Sequence, residues 1–104
     1  MSNSGLNKYQ DELLTILTEE CGETIQEICK ITRFGIDAKS HHVPNNNHLA
    51  CLIQEIGDII AVVELLVDSD MGITDEQIYI AKALKLEKVK KWMNNQKPSK
   101  EEIE

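Results

Sequence analysis

Two stretches of the chain repeat their apolar residues at the helical period of about 100° per residue, and both carry acids on the apolar side. In the first, roughly residues 6 to 34, Leu6, Leu13, Leu17, Ile31 and Phe34 share a stripe with Glu20, Glu23 and Glu27. In the second, roughly 48 to 67, Glu55 falls among Leu52, Ile59, Val62 and Leu66, with Asp58 one turn along. Both acid pairs are therefore expected to point inward. An isolated carboxylate taken out of water costs several kcal/mol even after relaxation. A fold holding four of them must protonate them, pair them or bind them to metal, and no basic partner is expected on either stripe. Within each pair the i, i+3 spacing puts both carboxylates on one helix face. Two such helices packed together make an oxygen-rich, negatively charged pocket suited to a hard divalent cation, Mg²⁺ or Mn²⁺. The competing expectation, ordinary solvated helix acids, would require the solvated face to coincide with the apolar stripe twice.

The remaining composition fits a helical chain. Among 104 residues, aromatics are 4% and the 41% hydrophobic fraction is mostly Ile, Leu, Val and Ala, which favours helix-on-helix packing over a sandwich or barrel. Two prolines and five glycines leave room for few turns, so few long elements are expected. The length corresponds to a single domain, 1–104, with 1–5 and 97–104 expected to be flexible. A formal net charge of −7 argues against a nucleic-acid duplex or an anionic membrane surface as partner. Glu55, Asp58 and Glu64 interrupt the most apolar run before it reaches the roughly 18 residues of a membrane helix. The first five residues have neither a basic start nor a hydrophobic signal segment, so a cytosolic protein is expected. Cys21, Cys29 and Cys51 lack CxxC spacing and read as small core residues in a reducing compartment.

In chain order, helix one is expected to end at Phe34, with Gly35 as its left-handed C′ residue and Lys30 and Arg33 complementing the dipole. Gly22 and Gly57 lie between the acids of their clusters, where close approach of another helix or a ligand would account for them. Residues 36–47 read as a loop, with His41 and His42 assigned an incidental role and Asn46 or Asn47 as the next N-cap. In helix two, Ile53, Ile56, Ile60, Val63 and Val67 cover the side opposite the acids. A helix apolar on every side needs neighbours on every side, which three helices scarcely supply, so a partner chain is implied. Thr74 to Gln77 has the capping-box pattern and opens helix three. This helix is expected to turn Ile78, Ala81, Leu84 and Trp92 inward. It ends in Lys82, Lys85, Lys88, Lys90 and Lys91, a solvated face or a contact for polyphosphate.

Several chemistries can use inward carboxylates. The di-iron proteins of the ferritin-like class need Glu-x-x-His on their helices, and neither cluster has a histidine at that offset. An all-oxygen Mg²⁺ site instead suits phosphate chemistry. Glu19-Glu20-Cys21-Gly22-Glu23 followed by Glu55-Ile56-Gly57-Asp58 resembles the EExxE…ExxD signature of the MazG-like, all-α nucleoside triphosphate pyrophosphohydrolases. That superfamily also includes dimeric dUTPases and phosphoribosyl-ATP pyrophosphohydrolases. The resemblance extends from about Leu6 to Trp92, and Leu17 to Glu23 and Gln54 to Ile60 look like short members found in bacteria and their phages.

The resemblance implies an all-α bundle of three main helices per chain, completed by oligomerisation as a homodimer or dimer of dimers. It implies hydrolysis of a (d)NTP to (d)NMP and pyrophosphate, with Mg²⁺ (or Mn²⁺) held by carboxylates matching Glu20, Glu23, Glu55 and Asp58. Glu19 matches the first acid of the motif and would orient water or support the metal, with Glu19 and Glu23 as the catalytic pair. Lys85 and Lys88 stand near where such proteins place basic residues against the phosphates. The spacer between Glu23 and Glu55 is longer than typical and contains the His-Pro-Asn segment, which would border the base pocket. The alternative is a non-enzymatic helical interaction module that keeps the fold.

Overall fold

In the computed structural model, residues 3–40 and 46–98 are described, and they form three α-helices: α1 (Lys8–Phe34), α2 (His48–Asp68) and α3 (Asp75–Trp92). His41, His42 and Pro44 lie outside the described residues. The N-terminus of α1 is fixed by a capping box. The Asn7 side chain accepts from the Gln10 N–H at 2.8 Å, and the Asn7 N–H donates back to Gln10 Oε1 at 3.1 Å. Such a cap is worth about 1 kcal/mol, because it satisfies donors that the helix itself leaves open. Just upstream, Ser4 Oγ donates to Asp11 Oδ1 at 2.7 Å and accepts from the Leu6 N–H, which ties the turn before α1 to its first turns.

The long α1 ends where expected, at Gly35, whose N–H donates to the Ile31 carbonyl at 2.8 Å. Its φ of 102° is the positive value that favours glycine, but with ψ at 154° the backbone is extended and not left-handed helical. The chain therefore leaves the helix directly into the connecting segment. Ser40 N–H to Asn46 O and His48 N–H to Ala38 O tie the two ends of that segment together, and Lys39 and Asn47 form an isolated antiparallel bridge. Asn47 caps α2, accepting from the Ala50 N–H at 2.8 Å. After α2, Ser69 Oγ donates to the Leu66 carbonyl, and Asp70 (φ 59°) and Gly72 (φ 103°) complete a turn.

Helices α1 and α2 pack antiparallel. Gln10 Nε2 donates to the Ser69 carbonyl at 2.6 Å at one end, and Glu27 meets His48 at the other. Between these ties the core is small: Leu13 from α1, and Cys51, Val62 and Leu66 from α2. All three α2 residues lie on the side of that helix that carries Glu55, as its apolar period predicts.

The chain divides into two compact units, Met1–Gly72 and Ile73–Glu104. The second consists mainly of α3. Its capping box is the expected one, with Thr74 Oγ1 accepting from the Gln77 N–H and the Thr74 N–H donating to Gln77 Oε1. Its side chains depart from expectation. No residue of α3 is buried, and Leu84 and Trp92 are 59% and 74% exposed. Apolar residues fall on every side of this helix, so no single face gathers them against a core.

Three further expectations are corrected. Cys21 and Cys29 are exposed, and only Cys51 is buried, because the first two stand off the inward stripe of α1. Phe34 is half exposed, at the end of α1 beyond most of the reach of α2. A Cβ built on Gly22 or Gly57 would meet nothing within 4 Å, so among the described residues no helix of this chain makes the close approach expected there. No described helix is long and apolar enough to cross a membrane.

Candidate metal centre

The antiparallel pairing brings the middle of α1 against the middle of α2, and the two acid clusters meet there. One carboxylate oxygen each from Glu20, Glu23 and Glu55 lies within 4.8 Å of the other two. Glu20, Glu55 and Asp58 are half-buried, as their place on the stripes predicts. Glu23 is exposed, because it stands at the edge of the α1 stripe rather than on its centre line. Asp58 is not one of the three close oxygens, but it is near enough to Glu20 to repel its charge.

Desolvation and mutual repulsion set the electrostatics. Burial pushes Glu55 up to about 7 from an ordinary 4.5, with Glu20 and Glu23 adding to the shift. Burial also raises Glu20; a hydrogen bond with Glu55 acts the other way, and repulsion from Glu23 and Asp58 adds to the rise. Burial and repulsion disfavour the charged form for the same reason: a carboxylate deprived of water and faced by others of its sign is destabilised. Among the described residues, Glu20 Oε2 and Glu55 Oε2 are buried and have no hydrogen-bond partner. Buried polar atoms of native proteins nearly always have one. Two orphaned oxygens in a group of three carboxylates fit the donor set of a hard divalent cation, which takes oxygen ligands and neutralises their charge.

Glu27, one turn beyond Glu23, behaves differently. Lys30 Nζ lies 3.3 Å from its Oε1 and His48 Nδ1 lies 3.3 Å from its Oε2. Its charge is therefore paired. His48 is 2% exposed and its ring stacks on Phe34, with centroids 6.2 Å apart. The expectation of a stripe without basic partners fails here, because Lys30 curls back along α1 and His48 opens α2 directly opposite. An i, i+3 Glu–Lys pair was readable from the sequence. The His48 contact depends on helix register and was not.

Beside the cluster, and sharing Glu23 and Glu55 with it, is a cavity of about 360 Å³. It is also lined by Gln26, Glu27, Lys30, Ser40, Cys51 and Gln54. Ser40 brings the start of the connecting segment into its wall.

The other expected site residues are placed as follows. Glu19 is exposed and is not among the three clustered acids. Lys85 and Lys88 belong to α3 and are both exposed, where they border a shallow surface hollow with Val89, Trp92 and Met93.

No curated protein and no solved structure matches the chain. A family model does, described as the MazG nucleotide pyrophosphohydrolase domain, over residues 8–94. That match runs from the first turn of α1 past the end of α3 and takes in both acid clusters, so this all-α chain belongs to the MazG nucleotide pyrophosphohydrolase family.

Proposed function

We propose that this protein is a Mg²⁺-dependent nucleoside triphosphate pyrophosphohydrolase, converting a (d)NTP and water to the (d)NMP and pyrophosphate. The observation that carries the reading is the meeting of Glu20, Glu23 and Glu55 with two buried, unpartnered oxygens among them. Family membership supplies the reaction class.

Glu20, Glu23 and Glu55 would hold the cation, with Asp58 next to Glu20 as the fourth carboxylate. When bound, Mg²⁺ neutralises phosphate charge and lowers the pKa of a coordinated water. The protein's own residues do the rest. Glu23, the exposed acid of the cluster, is assigned to accept the proton from water. The water oxygen bonds to one phosphorus of the α–β anhydride and that phosphorus loses its bond to the bridging oxygen, which departs with its electron pair on pyrophosphate if the α phosphorus is attacked and on the (d)NMP if the β phosphorus is. Glu19, exposed beside Glu20, is assigned to orienting incoming water, and Glu23 to work on both metal and water. Lys85 and Lys88 are assigned to the phosphates as point charges.

The active form is proposed to be a homodimer or a dimer of dimers. Ile53, Ile56 and Ile60 form an unpartnered apolar stripe on α2, exposed by 62%, 45% and 56%. Contiguous apolar surface of this kind marks interaction sites more often than bare solvent-facing helix.

The direct test is incubation with a panel of NTPs and dNTPs, with and without Mg²⁺, and assay of pyrophosphate. Release from at least one nucleotide, dependent on the cation, is expected. Failure to release it from any of them would leave the helical interaction module as the account of the fold.

A further inference from the structure

Among the described residues, the cavity next to the acid cluster carries three carboxylates, Glu23, Glu27 and Glu55, against one ammonium, Lys30, and that ammonium is already engaged by Glu27. A polyphosphate would meet net repulsion there. The remaining lining groups are the amides of Gln26 and Gln54, the Ser40 hydroxyl and the Cys51 thiol, which are neutral and able to hydrogen-bond. At about 360 Å³ the space lies within the range of small-ligand sites, roughly 300 to 1,000 Å³. It therefore suits an uncharged, hydrogen-bonding group attached to something held at the acids.

Glu27 is the fixed point of this cavity. Each of its oxygens has a partner at 3.3 Å, Lys30 on Oε1 and the buried His48 on Oε2, and the His48 ring stacks on Phe34. Each contact uses one lone pair of an oxygen that has two, so acceptor capacity remains. A carboxylate held this rigidly selects hydrogen-bond donors and is left unsatisfied by acceptors. Among nucleobases the donor that carboxylates read is the exocyclic amino group, as with the N4 amine of cytosine.

We infer that this cavity is a nucleoside subsite in which Glu27, clamped by His48 and Lys30, accepts a hydrogen bond from the amino group of the base, so that amino-bearing bases are preferred over keto-bearing ones. The inference rests on the pyrophosphohydrolase reading for its choice of ligand class. Glu27 is a specificity residue and takes no part in bond breaking. Ribose hydroxyls are also donors, and the test separates the two sources.

The test uses free nucleosides, which carry no phosphate and report on the cavity whether or not the acids take Mg²⁺. Deoxycytidine against deoxyuridine, deoxyadenosine against deoxyinosine, and cytidine against deoxycytidine are titrated into the full-length protein, and binding is followed by NMR shifts. Within each amino/keto pair, the amino form should bind about tenfold more tightly, at the lower end of what one good base contact provides. Glu27→Gln should remove that preference, since one amide oxygen serves Lys30 or His48 and leaves an NH₂ facing the ligand. A preference confined to cytidine over deoxycytidine, and lost in Glu27→Gln, would move the contact from base to sugar and overturn the amino-group assignment. Equal binding within every pair, or a preference unchanged in Glu27→Gln, overturns the inference altogether. Gln54→Trp, on an exposed position of the rim, guards against a misfolded Glu27 variant. It should block nucleoside binding while the Mg²⁺-induced rise in melting temperature persists, and unaltered binding would count against the cavity. Pyrophosphate release from the wild type is scored separately, so a failure of the activity and a failure of the subsite give different results.

Discussion

The two sides of α2 are built against the usual order. The side packed on α1 carries Glu55 and Asp58 among Val62, Leu66 and Cys51, whereas the side turned away from α1 carries Ile53, Ile56 and Ile60 in the open. An ordinary surface helix does the reverse, with apolar residues toward its core and charge toward water. Among the described residues, the inward acids of the cluster face no counter-charge and the outward isoleucines are exposed. On the reading proposed above, a cation would supply the first and a second chain would cover the second.

The strongest way to break this comparison is to remove one inward acid. Glu55→Gln should lower turnover by more than the roughly 10- to 100-fold that loss of a partner merely supporting a ligand costs. The metal-free fold should be as stable as before or slightly more so, since a strained charge has gone. An acid serving only as a salt-bridge partner would instead cost about 3 to 5 kcal/mol on removal. A metal-free Glu55→Gln variant that melts far below wild type, with Mg²⁺ without effect on either protein, would sink the metal-site assignment.

The outward side is tested by placing charge on it. Sedimentation of the wild type at micromolar concentration should give a species of at least twice the 11.8 kDa protomer. Ile56→Asp with Ile60→Asp should shift it to the monomer, because an unpaired carboxylate cannot be buried at an apolar contact without several kcal/mol of cost. A stable, well-folded wild-type monomer would remove the case for a partner chain.

The inward side can be sharpened with the cation and with pH. Binding to the native state alone stabilises it by about 2.7 kcal/mol at one hundred times Kd, so millimolar Mg²⁺ should raise the melting temperature. Without metal, Glu55 holds its proton up to about pH 7 in the fold and up to about 4.5 in the unfolded chain. Between those values the native state binds more protons, so stability contributed by this group should fall as pH rises through the window. Thermal melts from pH 4.5 to 7.5 should show that fall. Added Mg²⁺ should offset it progressively, since only the ionised acids are good ligands.

Much of this comparison was legible in the sequence, and the places where it was not have physical reasons. Helical periodicity located α1 and α2 and the inward position of Glu20, Glu55 and Asp58, because a 3.6-residue repeat is a local property. Asn47 and Thr74 were readable as caps for the same reason. What escaped was set by register between helices: the Glu27–His48 contact and the cavity that Ser40 helps to close. Helix α3 misled because Ile78, Ala81, Leu84 and Trp92 suggest an inward face, whereas Tyr79, Ile80, Leu86 and Val89 place as much apolar surface elsewhere around the helix.

The smallest effect comes from the glycines between the acids. Since nothing lies within 4 Å of a Cβ at Gly22 or Gly57 in the protomer, Gly22→Ala and Gly57→Ala should each stabilise the isolated chain by about 0.5 to 1 kcal/mol. A loss of stability in the assembled protein, measured by denaturant unfolding, would locate the neighbouring chain against that glycine.

The ties at the two ends of the α1–α2 pair, Gln10 to Ser69 and Glu27 to His48, have a consequence for the acids between them. A gap anchored at both extremities behaves as a gauge: its width is set remotely and does not adjust freely to whatever is placed in it. Magnesium holds its oxygens at about 2.0 to 2.1 Å and calcium at about 2.3 to 2.6 Å. On the metal-bound reading proposed above, discrimination between the two ions would reside partly in an amide and an imidazole that touch neither, and loosening either anchor would blur the measurement before it weakened the grip.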